Sequence, residues 1–297
     1  MNPITKTDWA RVSRSNRCPI CDRYHWCTVN SEAGLVRCTK VKSERESIGS
    51  DGSASWIHQV SQGLHKFKFN QQFNQQPKPV ISIEEISALS KGMFHHPMAE
   101  SAREREADNL GVPAWTLLNL KVGYGIDQVG EFTSWPIRNF KRQIIGIMRR
   151  YRSGKKLTFK GTSNAGLFIP ESILPMDTLW IVEGGSDTAA ASSIPVSAIG
   201  RPSNSGGSRV IAGLLKTMPF VKNVIVWGEN DRKADCKMNC GGECPSCWPG
   251  KFGANFVATQ LKRQVNSKHK KIEIRMPKEG IKDVREMVLT GMSSTLC

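Results

Sequence analysis

Residues 179–187 read Leu179-Trp180-Ile181-Val182-Glu183-Gly184-Gly185-Ser186-Asp187 and run on into Thr188-Ala189-Ala190-Ala191. The short apolar run predicts a strand, and the small-residue stretch after the glycines predicts a helix. Glu183 therefore falls at the carboxyl end of a strand and Asp187 at the start of a helix. In open α/β sheets that edge is where ligands bind.

The same alternation recurs downstream. The apolar runs VSAIG, NVIVW and KIEIRM are separated by SRVIAGLLKTM, GANFVATQLKRQV and VREMVL, segments that can be helical. The pattern predicts a mostly parallel sheet with covering helices. NVIVW leads into Gly228-Glu229-Asn230-Asp231, a second acidic pair just past a strand, and alternate residues of an extended chain can point the same way. Converging hard oxygen ligands are what Mg²⁺ takes when it also holds phosphate oxygens. The plainer reading is that Glu183 and Asp187 favour a helix N-terminus and that Glu229 and Asp231 are loop surface. Two pairs past successive strands favour a site over either alone. Between them lies Gly200-Arg201-Pro202-Ser203-Asn204-Ser205-Gly206-Gly207, read either as a cradle of backbone amides for a triphosphate or as an ordinary loop. The phosphate-loop signature GxxxxGK[ST] is missing, so a nucleotide-driven motor is not expected.

Working toward the N-terminus, residues 81–170 predict helices up to Gly111 and Pro113, then a basic β-hairpin turning at Asn139 to Arg142. Arg138, Arg149, Arg150, Lys155, Lys156 and Lys160 supply its charge, which serves phosphate binding on one reading and strand-edge protection on the other. Residues 69–80, rich in Gln, Asn and Pro, predict a linker. Residues 1–68 lack long apolar periodic runs and carry Cys18, Cys21, Cys27 and Cys38, which predicts a small module dependent on Zn²⁺. His25 is an alternative ligand to Cys27. Trp26, Arg37 and Lys40 are candidates for stacking and charge contacts with a nucleic acid. Cys236, Cys240, Cys244 and Cys247 sit in an expected insertion at 232–252, ahead of a helix starting near Gly253. Zinc is favoured there over free thiols.

The chain has 297 residues and a formal net charge of +16. That surplus points to a polyanionic partner, nucleic acid before membrane. No stretch approaches the ~20 apolar residues of a bilayer span, and the N-terminus lacks a secretory apolar run, so a cytoplasmic location is expected.

Ile181-Val182-Glu183-Gly184-Gly185-Ser186-Asp187 followed by Ala189-Ala190 resembles the first motif of the Toprim domain, the catalytic fold shared by DnaG-type primases, type IA and II topoisomerases and some nucleases. Glu229-Asn230-Asp231 stands where that family usually has Asp-x-Asp, with a glutamate one methylene longer in first place. Lys282-Asp283 resembles the Lys-Asp that follows the family's last strand. Trp135-Pro136-Ile137-Arg138, with Ile144-Ile145-Gly146 and Arg149-Arg150, resembles the segment ahead of the Toprim domain in primases, and primase-like proteins carry an N-terminal zinc ribbon.

The resemblance implies an α/β, Rossmann-like Toprim domain at 171–297, a small α+β basic subdomain at 81–170 and a zinc ribbon at 1–68. It implies a primase of phage or mobile-element type that makes short RNA primers on single-stranded DNA from NTPs, using Mg²⁺ or Mn²⁺. Glu183, Asp187, Glu229 and Asp231 would be catalytic, with Glu183, Glu229 and Asp231 on the metal. Arg138, Arg149, Arg150, Lys155, Lys156, Lys160, Arg201 and Lys282 would contact nucleic acid or nucleotide. A replicative helicase would act in trans. Two other readings stay open: a Toprim nuclease using the same acids on water, and a zinc-bearing single-strand-binding protein that no longer catalyses.

Overall fold

The computed structural model describes residues 9–24, 26–48, 54–60, 64, 81–233, 244–245, 247–265 and 270–291. The chain divides into two units, Met1–Lys78 and Pro79–Cys297. The expected linker at 69–80 and His25 lie outside the described residues, as do Cys236, Cys240 and Cys297.

The first unit is an antiparallel sheet of short strands: β1 (Ala10–Arg11), β2 (Thr28–Asn30), β3 (Leu35–Cys38), β4 (Arg45–Ile48) and β5 (Ala54–Gln59). Their order is β1-β2-β3-β5-β4. Its core is small, built on Val12, Val29, Val36 and Leu64, and three of the four cysteines are buried within it. The Sγ atoms of Cys18, Cys21, Cys27 and Cys38 all lie within 4.8 Å of one another. Backbone amides of Lys40 and Val41 donate to the Cys38 sulfur at 3.4 and 3.2 Å. Thiols crowded this closely cannot all ionise alone: hydrogen bonds from Cys18 and Cys38 pull Cys27 below the usual thiol range, and bonding to Cys27 pushes Cys18 above it. A tetrahedral Zn²⁺ relieves that conflict, since it takes four thiolates. Trp26 and Lys40 are exposed, whereas the Arg37 guanidinium lies over the Trp9 ring, 4.5 Å from its centroid.

The second unit opens with α1 (Ile83–Phe94), α2 (Ala99–Leu110) and α3 (Ala114–Asn119). Ser82 and Glu85 close a capping box on α1, each side chain accepting the other's backbone N–H. Gly111, with φ 69°, ends α2 in the left-handed conformation that a residue with a Cβ resists. An antiparallel sheet follows, ordered β6 (Gly123–Asp127), β7 (Gly130–Arg138), β8 (Ile144–Tyr151) and β9 (Lys156–Thr158). The β7–β8 turn falls at Asn139 to Arg142, where the Asn139 side chain accepts the amides of Lys141 and Gln143 and Arg142 takes φ 64°.

The parallel sheet has the order β11-β10-β12-β13, from β10 (Thr178–Glu183), β11 (Ser197–Arg201), β12 (Asn223–Trp227) and β13 (Lys271–Arg275). The intervening helices are α4 (Gly184–Ser192), α5 (Ser208–Lys216), α6 (Pro249–Gln264) and, last, α7 (Val284–Leu289). Leu179, Ile181, Val224 and Val226 pack against Ile211 and Leu215 of α5 and Val257 and Leu261 of α6. On the other face Trp180, Val182, Ile225 and Trp227 pack against Ala191 of α4 and Val284 and Met287 of α7. Cover on both faces is why these strands are apolar throughout rather than alternating. The stretch Leu167–Phe168 joins the sheets, exchanging backbone bonds with Arg138 on one side and Gly200 on the other. Among the described residues no helix is long and apolar enough to cross a membrane.

α6 begins at Pro249 rather than near Gly253. Proline suits the first turn of a helix, where its missing N–H has no partner to lose, so the segment between Asp231 and the helix is shorter than expected.

Replacing Cys27 by Ser tests the metal's part in the first unit. The expected outcome is loss of a bound Zn²⁺ ion and collapse of amide dispersion for residues 28–59 in an NMR spectrum. Retained dispersion would mean that the thiols hold the sheet without metal.

Candidate active site

Gly184 and Gly185 turn β10 into α4. Gly184 takes φ 75°, and a Cβ on Gly185 would come within 2.6 Å of the Trp135 ring. Gly200, across the turn, is equally confined, because a Cβ there would stand 2.6 Å from the Gly184 carbonyl oxygen. The tight turn sets Glu183 and Asp187, four residues apart, on one side of the sheet's carboxyl edge.

Both line a cavity of about 520 Å³ in the second unit, together with Glu229 and Asp283. Glu183 is the N-cap of α4 but makes no side-chain capping bond. Asp187 is 4 % exposed. Among the described residues no hydrogen bond or ion pair reaches the carboxylates of Asp187 or Glu229. Capping therefore does not account for these acids.

Their electrostatics follow from burial and mutual repulsion. Burial, then Asp283 and Glu229, push Asp187 well above the carboxylate range. Burial and the neighbouring Glu183 and Asp283 push Glu229 up to about 7, against the pull of Lys282 and Arg201. Burial also raises Glu183, with Arg201 opposing it. Such a group needs positive charge to ionise fully.

Asp231, read from the sequence as a site residue, and Asp283, which was not, sit differently around the cavity. Asp231 does not line the cavity: its Oδ1 accepts the Gly250 amide at 2.8 Å, capping α6 from a distance. Asp283 is 5 % exposed, lines the cavity and caps α7 by accepting the Glu286 amide at 2.9 Å. The residue between Glu229 and Asp231 makes this possible. Asn230 Nδ2 lies within 3.0, 3.1 and 2.7 Å of the carbonyls of Pro277, Lys278 and Ile281, and its backbone N–H donates to Lys282 at 2.7 Å. The Lys282-Asp283 turn is thereby held beside Glu229. The Trp248 indole, donating to the Glu229 carbonyl at 2.9 Å, holds the loop from the α6 side.

The basic residues divide by strand register. Met148 and Arg150 of β8 border the cavity, while Arg149 and Tyr151 point to the opposite face, where both bond Asp127. Arg150 is ion-paired to the buried Glu106 at 2.7 Å. Arg138 is 8 % exposed and committed to Glu171 at 3.0 Å and the Arg142 carbonyl at 3.0 Å. Arg138, Arg149 and Arg150 are thus each held by an internal partner, and of the three only Arg150 borders the cavity. Lys156, Lys282 and Arg285 border the cavity, and Lys155 and Lys160 are exposed away from its lining. Arg201, expected in a flexible loop, is instead the last residue of β11 and has no exposed surface. Of that loop, Pro202 and Ser203 reach the cavity. Asp283 and Arg285 are the charged cavity residues missed as site candidates; the Lys282-Asp283 pair was the available signal for the first.

In the same unit, Cys244 and Cys247 bring their sulfurs to 3.1 Å. The remaining two cysteines of that set are outside the described residues, so the four-thiol arrangement expected there is not described.

No family model matches the chain, and no curated protein matches it. Solved structures do. The zinc-binding and RNA polymerase domains of the Aquifex aeolicus primase match with a TM-score of 0.51 at 12% identity, covering 73% of this chain and 60% of that one. A DNA primase domain from Pseudomonas aeruginosa matches with a TM-score of 0.50 at 14% identity, covering 70% and 74%. At these identities the likeness is one of fold: the chain has a mixed α/β fold, parallel sheet included, similar to that of primase domains.

Proposed function

We propose that the chain is a primase-type nucleotidyltransferase that makes short RNA primers on single-stranded DNA from NTPs. In this reading residues 171–297 are a Toprim domain, residues 81–170 its basic partner, and residues 1–68, within the first unit, a zinc ribbon. The observation that carries the reading is the set of four carboxylates, Asp187 and Glu229 among them without a hydrogen-bonding partner among the described residues, at the carboxyl edge of a parallel sheet, lining a cavity rimmed by Arg150, Lys156, Lys282 and Arg285. The fold likeness to primase domains supports it.

Hard oxygen donors sharing one cavity suit Mg²⁺ or Mn²⁺, which keep several waters and take few carboxylates directly. Glu183, Asp187, Glu229 and Asp283 would hold the ions, with Asp231 positioning the α6 side of the loop. When bound, such ions lower the barrier for a 3′-hydroxyl to displace pyrophosphate by stabilising both oxygens. The chain's own cations have a separate task. Lys156, Arg150 and Arg285 border the same cavity as the acids and would orient a triphosphate, whose charge the acids alone would repel. Lys155 and Lys160, exposed near by, would add sequence-independent phosphate contacts for the template.

Labelled NTP incorporation on single-stranded templates tests the assignment. Glu183→Gln and Asp187→Asn are each expected to lower product by roughly a hundredfold or more, as loss of several kcal/mol of charge stabilisation implies. Metal-dependent cutting without synthesis would place the chain among nucleases instead, and unchanged synthesis in both variants would dismiss the acids.

A pH dependence follows as well. Glu229 is raised from 4.5 to about 7, so the metal-free fold keeps protons that the unfolded chain has lost, and its stability falls as pH rises across that interval. Divalent binding must displace those protons. Mn²⁺ affinity is expected to rise by roughly tenfold per pH unit for each proton displaced, with Glu229 dropping out of that count above about pH 7. An affinity flat from acid to neutral pH would contradict this.

A further inference from the structure

Arg201 is the one cation of the cluster with no exposed surface. Its guanidinium crosses the carboxyl ends of three neighbouring strands. From the end of β11 it reaches over β10, where Nη2 lies 3.4 Å from Glu183 Oε2, to β12, where Nη2 donates to the Trp227 carbonyl at 2.8 Å. Nη1 donates to the Asn204 carbonyl, and Nε is left without a partner. A side chain fixed by two carbonyls under the sheet edge cannot extend into the cavity to meet a nucleotide. Nor does an arginine belong there for packing alone, because an unpaired buried charge is strongly unfavourable.

We propose that Arg201 is a resident counter-ion of the acid cluster: it positions Glu183 at the sheet edge before any metal arrives, and shares with the metal the task of offsetting the acids. The proposal rests on reading the acids as a divalent-metal site. Arg201 is a positioning residue on this account, not a catalytic one. Its charge lets the sheet edge fold with its carboxylates together in the absence of metal. Without it, the metal would have to do that work, so folding would come to depend on the metal far more than it does in the wild type.

The test is thermal melting of the full chain, with chelator and with saturating Mg²⁺, for wild type, Arg201→Gln and the double variant Glu183→Gln/Arg201→Gln. Glutamine removes the charge while keeping a polar amide, shorter than the guanidinium, at the sheet edge. For Arg201→Gln the gain in Tm from Mg²⁺ is expected to be roughly twice the wild-type gain or more. In chelator the double variant should melt above Arg201→Gln, since Glu183 then adds no charge that has lost its counter-ion. Should Arg201→Gln fail to fold, the double variant still decides: recovered folding supports the counter-ion and continued failure overturns it. An Arg201→Gln gain equal to that of wild type would reduce Arg201 to a structural arginine and overturn the proposal. A wild type and a Glu229→Gln variant that both ignore Mg²⁺ would instead remove the metal reading, and this proposal with it.

Discussion

Repulsion among carboxylates gathered at the carboxyl edge of the parallel sheet is the constraint on which the second unit turns. Glu183 and Asp187, Glu229, and Asp283 come from three different stretches of chain, each set in place by local turns and hydrogen bonds. Gly184 and Gly200 permit the β10–α4 turn. Asn230 binds the 277–281 carbonyls, and the Asp283 cap starts α7. Backbone geometry thus forces together groups that water would keep apart, and the cost appears as raised pKa values for Glu183, Asp187 and Glu229. A folded protein tolerates such a cost where function needs it.

The first unit meets the same difficulty in softer chemistry. Its four thiols stand within 4.8 Å of one another around a core of few apolar side chains. A sheet this small gains little from burial. Binding of a soft-ligand metal would both remove the conflict among the thiols and add the missing stability. The two units then share a principle, ligands assembled ahead of their ion, with sulfur donors in one and oxygen donors in the other.

Much of the second unit was legible in the sequence because parallel strands covered on both faces write themselves as uninterrupted apolar runs. Leu179–Val182 and Val224–Trp227 needed no further information. The glutamate at the strand end was legible for the same reason: it marks where the run stops. What escaped reading depended on direction rather than composition. Arg149 and Arg150 are neighbours in sequence, yet only the pleat of β8 decides that Arg150 borders the cavity while Arg149 turns to Asp127. Arg201 reads as loop charge beside Pro202 and Gly206, and burial under the sheet edge emerges only once β11 is placed next to β10. Asp231 and Asp283 both read as acids after a strand; one caps α6 and the other faces the cavity, a choice made by Asn230 and Gly250 at long range in sequence.

Crystals of the full chain soaked with Mn²⁺, with diffraction recorded at the manganese absorption edge, address the central claim most directly. The account expects an anomalous peak inside the cavity bounded by Glu183, Glu229 and Asp283, with oxygen ligands from at least some of them. A cavity free of anomalous density at saturating Mn²⁺ would contradict it, since four gathered carboxylates would then have no ion to hold.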